Sequence, residues 1–191
     1  HRVDRRQRQM CIRDRSSKNH IKHFLTDGDH VILGAKDDAG VVSLSVDDNG
    51  NRYGLVVSHE SHNHPSQIVP YEGAATGVGG NVRDVCCMGA EVMSLGDSLR
   101  FGDIDRNKTK WITDGVVSGI AGYGNPLGIP NICGDLYFDK EYNENCLVTV
   151  LTAGVVKEKN VIRSKAPKNS VNYDLILVGK PTDNLSLIHI S

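Results

Sequence analysis

Three of the eight histidines in this chain fall within six residues, in Ser58-His-Glu-Ser-His-Asn-His-Pro-Ser66, beside Glu60 and Asn63. Such a density of ionisable and hydrogen-bonding side chains, directly after a run that reads as a buried strand, is where a rigid sheet presents a site. Two chemistries are open to the set. His59, His62 and His64 could hold zinc, because imidazole suits borderline metals; their spacing matches no familiar zinc pattern, and no thiolate is adjacent in sequence. Alternatively, Glu60 serves a hard cation such as Mg²⁺, leaving a histidine for acid–base work or for phosphate charge. Spacing alone does not choose between them.

Downstream, Gly73-Ala-Ala-Thr-Gly-Val-Gly-Gly80 could bring backbone N–H groups up to a phosphate at a helix start. It could equally let a helix pack close to a sheet. It is not a Walker A loop, since GxxxxGK[ST] is absent. Arg83-Asp84 follows, offering a bidentate phosphate partner and a second metal carboxylate. Asp97-Ser-Leu-Arg100 could turn another carboxylate and cation toward the same place, but reads more simply as an ordinary polar strand exit, and Gly134-Asp135 is a weaker candidate of the same kind. Cys86 and Cys87 read as buried spectators in an apolar helix face. No Ser-His-Asp or Cys-His set is identifiable.

The elements that must position these residues are short. Strands are expected at His30–Leu33, Val41–Val46 and Tyr53–Ser58, the last two joined by the Asn-Gly turn signal of Asp47-Asp-Asn-Gly-Asn51. A loop is expected over 59–70. Val78, Val82, Val85 and Met88 recur at helical spacing, so 71–89 reads as a helix with a glycine-rich first half. A strand at Glu91–Asp97, a helix at Ile112–Tyr123 ended by Gly124-Asn-Pro126, and strands at Asn131–Phe138, Leu147–Val156 and Asp174–Gly179 complete the pattern. That order predicts an α+β fold, a mostly antiparallel sheet with helices on one face.

Composition narrows the function classes. Residues 1–15 carry six Arg and two Asp, so the rest of the chain has 16 basic against 21 acidic residues and is mildly acidic. That balance argues against nucleic-acid binding. No run approaches the roughly 18 apolar residues of a membrane span, and mean hydropathy is −0.31. The five cysteines are odd in number and form no CxxC pair, which points to a reducing, cytoplasmic setting. Both ends, Met10-Cys-Ile-Arg-Asp-Arg15 and Leu185-Ser-Leu-Ile-His-Ile-Ser191, resemble translated sequencing-adapter read-through; a basic arm and a short final strand are the alternatives. The expected layout is a non-native tail at 1–15, a domain at 16–164, a linker at 165–173, the start of a second α+β domain at 174–184 and a second tail at 185–191.

Glu60-Ser-His-Asn-His-Pro-Ser66, Pro70-Tyr-Glu-Gly-Ala-Ala-Thr-Gly-Val-Gly-Gly80 and Arg83-Asp84 together closely resemble phosphoribosylformylglycinamidine synthase, large (synthetase) subunit. Asp97-Ser-Leu-Arg-Phe-Gly102, Gly124-Asn-Pro-Leu-Gly-Ile-Pro130 and Asn145-Cys-Leu-Val-Thr-Val-Leu-Thr-Ala-Gly154 continue the likeness, which covers roughly 16–184. The resemblance implies ATP-dependent amidation in purine biosynthesis. The formyl-amide oxygen of formylglycinamide ribonucleotide attacks the γ-phosphate of ATP, and glutamine-derived ammonia then displaces phosphate. By motif, Glu60 and Asp84 would hold Mg²⁺, Ser61, His62, Asn63, His64 and Arg83 would hold the substrate, and His62 would be the proton acceptor. The implied fold is similar to the N-terminal domain of aminoimidazole ribonucleotide synthetase, whose sheet pairs with a second copy. Implied partners are a glutaminase subunit and a small bridging subunit, or fused equivalents.

Two departures stand out. The family's Ser-Glu-His-Cys segment, with a catalytic histidine and a following Tyr, has no equivalent before Ser16-Ser17, where Arg5–Arg15 stand instead. A Lys often found two residues before the Glu is replaced by Ser58, which weakens an ATP contact. The chain by itself is therefore expected to lack synthetase activity. Two other readings stand beside this one: another ATP-using member of the same superfamily, against which the Glu-Ser-His-Asn-His-Pro-Ser string speaks, and a non-catalytic binding module of that fold.

Overall fold

The structure, a computed structural model, describes residues 27–34, 37–166, 168–174, 176, 178 and 179. The tails at 1–15 and 185–191 lie outside them. Residues 27–165 form one compact unit, and the described residues from 166 on belong to another. In that second unit the described members of the expected strand Asp174–Gly179 lie in no strand. No described strand pairs with them, and a strand without a partner leaves its backbone groups unmatched.

The compact unit is a six-stranded sheet with spatial order β1-β2-β3-β6-β4-β5. Its strands are β1 (Val31–Leu33), β2 (Gly40–Val46), β3 (Arg52–Ser61), β4 (Glu91–Phe101), β5 (Asn131–Phe138) and β6 (Leu147–Lys157). Helices α1 (Asn63–Ile68), α2 (Pro70–Cys87) and α3 (Asn107–Gly124) complete it. Only the β4–β5 pairing is parallel, with α3 in the connection, so the α+β expectation holds. The 47–51 turn forms as the Asn-Gly signal indicates, with Gly50 at φ 78° and the Asp47 carboxylate accepting from Asn49 N and Asn51 N. Among the described residues, no helix is long and apolar enough to cross a membrane.

Strand alternation shows which face the helices cover. Along β6, Val148, Val150, Thr152, Gly154 and Val156 are buried, while the residues between them are half-exposed. Val148 and Val150 of this row pack with Ala74, Val78 and Val82 of α2, Ile112, Val116 and Ile120 of α3, and Leu95, Leu99 and Phe101 from β4. These apolar positions of α2 and α3 recur every three or four residues, which is why the sequence pattern was readable. A second cluster joins Val85 and Met88 to Leu33, Val41 and Val56 under β1–β3.

The 59–70 loop is not a loop. Strand β3 runs on to Ser61, paired with Thr149 of β6, and α1 begins two residues later. The polar composition hid a strand whose extension is held by its ladder to β6 and not by apolar side chains. Cys86 and Cys87 are also exposed, not buried. Val85 and Met88 face the core, so the two residues between them turn outward.

Phe101 is fully buried and tilts against Phe138 with ring centroids 5.9 Å apart. Phe101→Ala is expected to lower unfolding stability by about 3–5 kcal/mol in urea titration. Ile132→Ala, at a residue 68% exposed on β5, is expected to change it by less than about 0.5 kcal/mol.

Arg100 makes a bidentate pair with Asp135 across β4–β5, at 2.9 and 2.7 Å. The Arg100 guanidinium, helped by the Ser98 hydroxyl, holds the Asp135 carboxyl at about 2, against 3.8 ordinarily. A depressed folded-state value stabilises above the unfolded value and is lost as pH falls through the folded one. Asp135→Asn should therefore lower the melting midpoint at neutral pH. Its difference from the parent should shrink as pH drops from 3.8 to about 2.

Candidate functional site

Strand β3 and helix α2 run past each other in opposite directions, and residues of the two, the candidates among them, meet in three successive pairs. Ser58 Oγ donates to Asp84 Oδ2 at 3.1 Å. Glu60 lies against Gly80, where a Cβ would fall 2.9 Å from its Oε2. His62 lies against Gly77, where a Cβ would fall 2.8 Å from the His62 Cβ. The spacings agree. Two strand residues advance about 6.6 Å, and three or four helix residues about 5–6 Å. Positions 77, 80 and 84 share one helix face, so alternate β3 residues are met in turn.

The glycines therefore lie inside α2 with their N–H groups within the helix, so the packing reading of Gly73–Gly80 holds and the phosphate-loop reading does not. Gly73 similarly lies on the backbone of Pro65 and Ser66, and Gly79 under the Tyr123 ring. Burial pushes the Asp84 carboxyl above its ordinary value, with the Ser58 hydroxyl pulling the other way. A carboxylate in that state gains from a nearby cation.

His62 ends the strand and caps α1. Its N–H donates to Val148 O at 2.8 Å, its carbonyl accepts from Ser66 Oγ at 2.6 Å, and its side chain is buried. Asn63 is half-buried, and its Oδ1 accepts from Val148 N at 2.8 Å. That oxygen is committed to β6, so a ligand contact would fall to its Nδ2. Ser61, His64 and Arg83 are exposed.

The other candidates do not join this group. His59 is exposed and, by alternation, on the opposite sheet face from Glu60 and Ser58. Among the described residues, no three of His, Cys, Asp and Glu form a group able to hold a metal, which removes the three-histidine zinc reading. Asp97 and Arg100 could have faced one site or been an ordinary polar strand exit; three residues apart along a strand, they point to opposite faces. Asp97 accepts from Asn131 Nδ2 beside a cavity of about 160 Å³ against α3, and Arg100 pairs with Asp135. Cys146 is buried, with its thiol pushed up to about 11, so it is no nucleophile.

A family model described as AIR synthase related protein, N-terminal domain, matches residues 36–156. The chain belongs to that family. It is 51% identical over 179 residues to phosphoribosylformylglycinamidine synthase subunit PurL of Methanothrix thermoacetophila, a match covering 91% of this chain and 23% of that protein. T. maritima PurL complexed with ATP superimposes with a TM-score of 0.62 at 39% identity, over 79% of this chain and 23% of that one. T. maritima PurL complexed with FGAR gives 0.58 at 44% identity, over 70% and 20%. The chain thus spans less than a quarter of the length of these relatives.

Within this AIR synthase related domain, sequence reasoning passed over two residues. Ser58 entered only as a missing lysine, yet it is the hydrogen-bond partner of Asp84. Asn81, fully buried, donates from Nδ2 to Val150 O at 2.6 Å and fastens α2 to β6 beside the site. Its place one turn before Asp84, on the glycine face, was the available signal. Because the Ser58 hydroxyl is what lowers the Asp84 value, Ser58→Ala should push that carboxyl further up. Carboxyl-carbon NMR titration of Asp84 checks this, and an unmoved midpoint would contradict it.

Proposed function

We propose that the chain is the N-terminal part of a phosphoribosylformylglycinamidine synthase large subunit, an ATP-dependent carbon–nitrogen ligase of purine biosynthesis. In this reading the full-length enzyme converts formylglycinamide ribonucleotide, ATP and ammonia to the amidine. The observation that carries the reading is the antiparallel match of Ser58, Glu60 and His62 with Asp84, Gly80 and Gly77. It brings two carboxylates and an imidazole to one seam between sheet and helix. The 51% identity to a PurL subunit and the likeness to PurL complexes with ATP and FGAR support the substrate class.

Glu60 and Asp84 suit Mg²⁺ and would hold it. Mg²⁺ binds through one or two carboxylates, completed by water and substrate phosphates, so a cage of three protein ligands is not required. The raised Asp84 value fits a carboxylate awaiting a cation. When bound, the ion supplies neutralisation of phosphate charge. His62 would accept a proton from the formyl-amide as its oxygen becomes nucleophilic, and its burial beside Gly77 keeps bulk water from that position. Asn63 Nδ2 and His64 would grip the substrate, and exposed Arg83 would meet its phosphate with a planar fork; the Ser61 side chain, by alternation, lies on the His59 face of β3 and away from Glu60. Ammonia would come from a glutaminase subunit, with a small bridging subunit or fused equivalents. Unpaired thiols at all four described cysteines accord with a cytoplasmic setting.

The test is amidine formation by the full-length enzyme from formylglycinamide ribonucleotide, ATP and ammonia. Chelation should abolish it, Mg²⁺ should restore it and Zn²⁺ should not. His62→Ala should lower kcat by about 10²–10⁴-fold. Undiminished turnover in His62→Ala, or restoration by Zn²⁺ alone, would overturn the assignment.

A further inference from the structure

We propose that Gln67, acting with Asn63, is a positioning residue that fixes His62 by lashing helix α1 to the turn that precedes β6. The problem it solves is physical. Helix α1 has six residues and no side-chain N-cap, far too little to hold itself in water. Yet its first turn must keep His62 facing Gly77, beside the Glu60–Gly80 contact.

Gln67 is nearly buried, and both ends of its carboxamide are used. Oε1 accepts from Cys146 N at 2.9 Å, and Nε2 donates to Asn143 O at 3.3 Å. Two residues further on, Val148 takes up the other end of the segment, receiving His62 N and giving its own N–H to Asn63 Oδ1, each at 2.8 Å. Cys146 Sγ adds a weak contact to Asn63 O at 3.7 Å. The turn is itself anchored, since Asn143 Oδ1 accepts from Asp103 N at 2.8 Å in the segment between β4 and α3. His62 thus sits at one clamp and Gln67 forms the other, at the two ends of α1, both on one stretch, Asn143–Val148. A leucine would fill the same space without binding either backbone group, so the amide itself is what makes the brace. Buried hydrogen bonds of this kind matter chiefly when one partner is removed and the other is left unpaired.

The inference rests on the proton-acceptor reading of His62, but positioning can be measured without turnover. The probe is side-chain NMR of the histidines in the 191-residue chain, with exposed His30 and His59, both outside α1, as internal references. Gln67→Leu should displace or split the His62 ring signals and leave His30 and His59 in place. Gln67→Glu keeps the acceptor for Cys146 N and should displace them less; it also serves if the leucine variant does not fold. In the full-length enzyme, Gln67→Leu should lower kcat about tenfold or more. It should add nothing to His62→Ala, because residues acting through one group are not additive. Unmoved His62 signals in both variants, or equal displacement of all three histidines, would overturn the proposal. Displaced His62 signals in a chain whose full-length enzyme makes no amidine would leave the brace standing and remove the catalytic reading instead.

Discussion

The close approach of α2 to β3 is the constraint on which the rest of the structure depends. A strand carrying Ser58, Glu60 and His62 on its covered face presents large polar groups where a helix would ordinarily press apolar ones. The helix can lie there only if it is bare opposite the two largest, and Gly80 and Gly77 are those positions. Glycine inside a helix is unfavourable by about 0.5–1 kcal/mol relative to alanine. The surrounding apolar packing of Ala74, Val78, Val82 and Val85 offsets it. The same seam then has the property a phosphate chemistry needs, carboxylates partly withdrawn from water yet close to its surface.

Strand β6 makes that arrangement rigid. It pairs with both β3 and β4, and its covered face carries Val148, Val150 and Thr152. Val148 and Val150 also do polar work through their backbones, Val148 with His62 and Asn63, and Val150 with Asn81. Alternation thus sorts the sheet. The face under α2 and α3 keeps the core and the candidate chemistry, while the other face keeps His59 and the Arg100–Asp135 pair.

Much of this was legible in the residues, for definite reasons. Helical spacing of Val78, Val82, Val85 and Met88 located α2, and short β-branched runs on either side of Asn-Gly located the β2–β3 hairpin. The cluster at 59–64 pointed to a candidate site because so many polar groups rarely follow a buried strand. What stayed hidden depended on partners distant in sequence. The extension of β3 to Ser61 is written in the backbone ladder to β6, and the brace through Gln67 in a turn about eighty residues away. The glycines could be read two ways until His62 and Glu60 were seen beneath them. Whether Asp97 and Arg100 were companions or a plain polar strand exit depended on the strand's alternation, which puts them on opposite faces.

If the glycine-bared seam is what makes Glu60 and Asp84 a cation site, paramagnetic broadening by Mn²⁺ tests it most directly, since Mn²⁺ takes the same hard oxygen ligands as Mg²⁺. In amide spectra of the chain, the signals of Glu60, Gly80 and Asp84 should broaden first. Gly80→Ala, which forces the Glu60 carboxylate aside, should raise the Mn²⁺ needed about tenfold or more, in line with what disturbing a ligand's support does elsewhere. Broadening centred on other residues, or a Gly80→Ala titration matching the parent, would contradict the account.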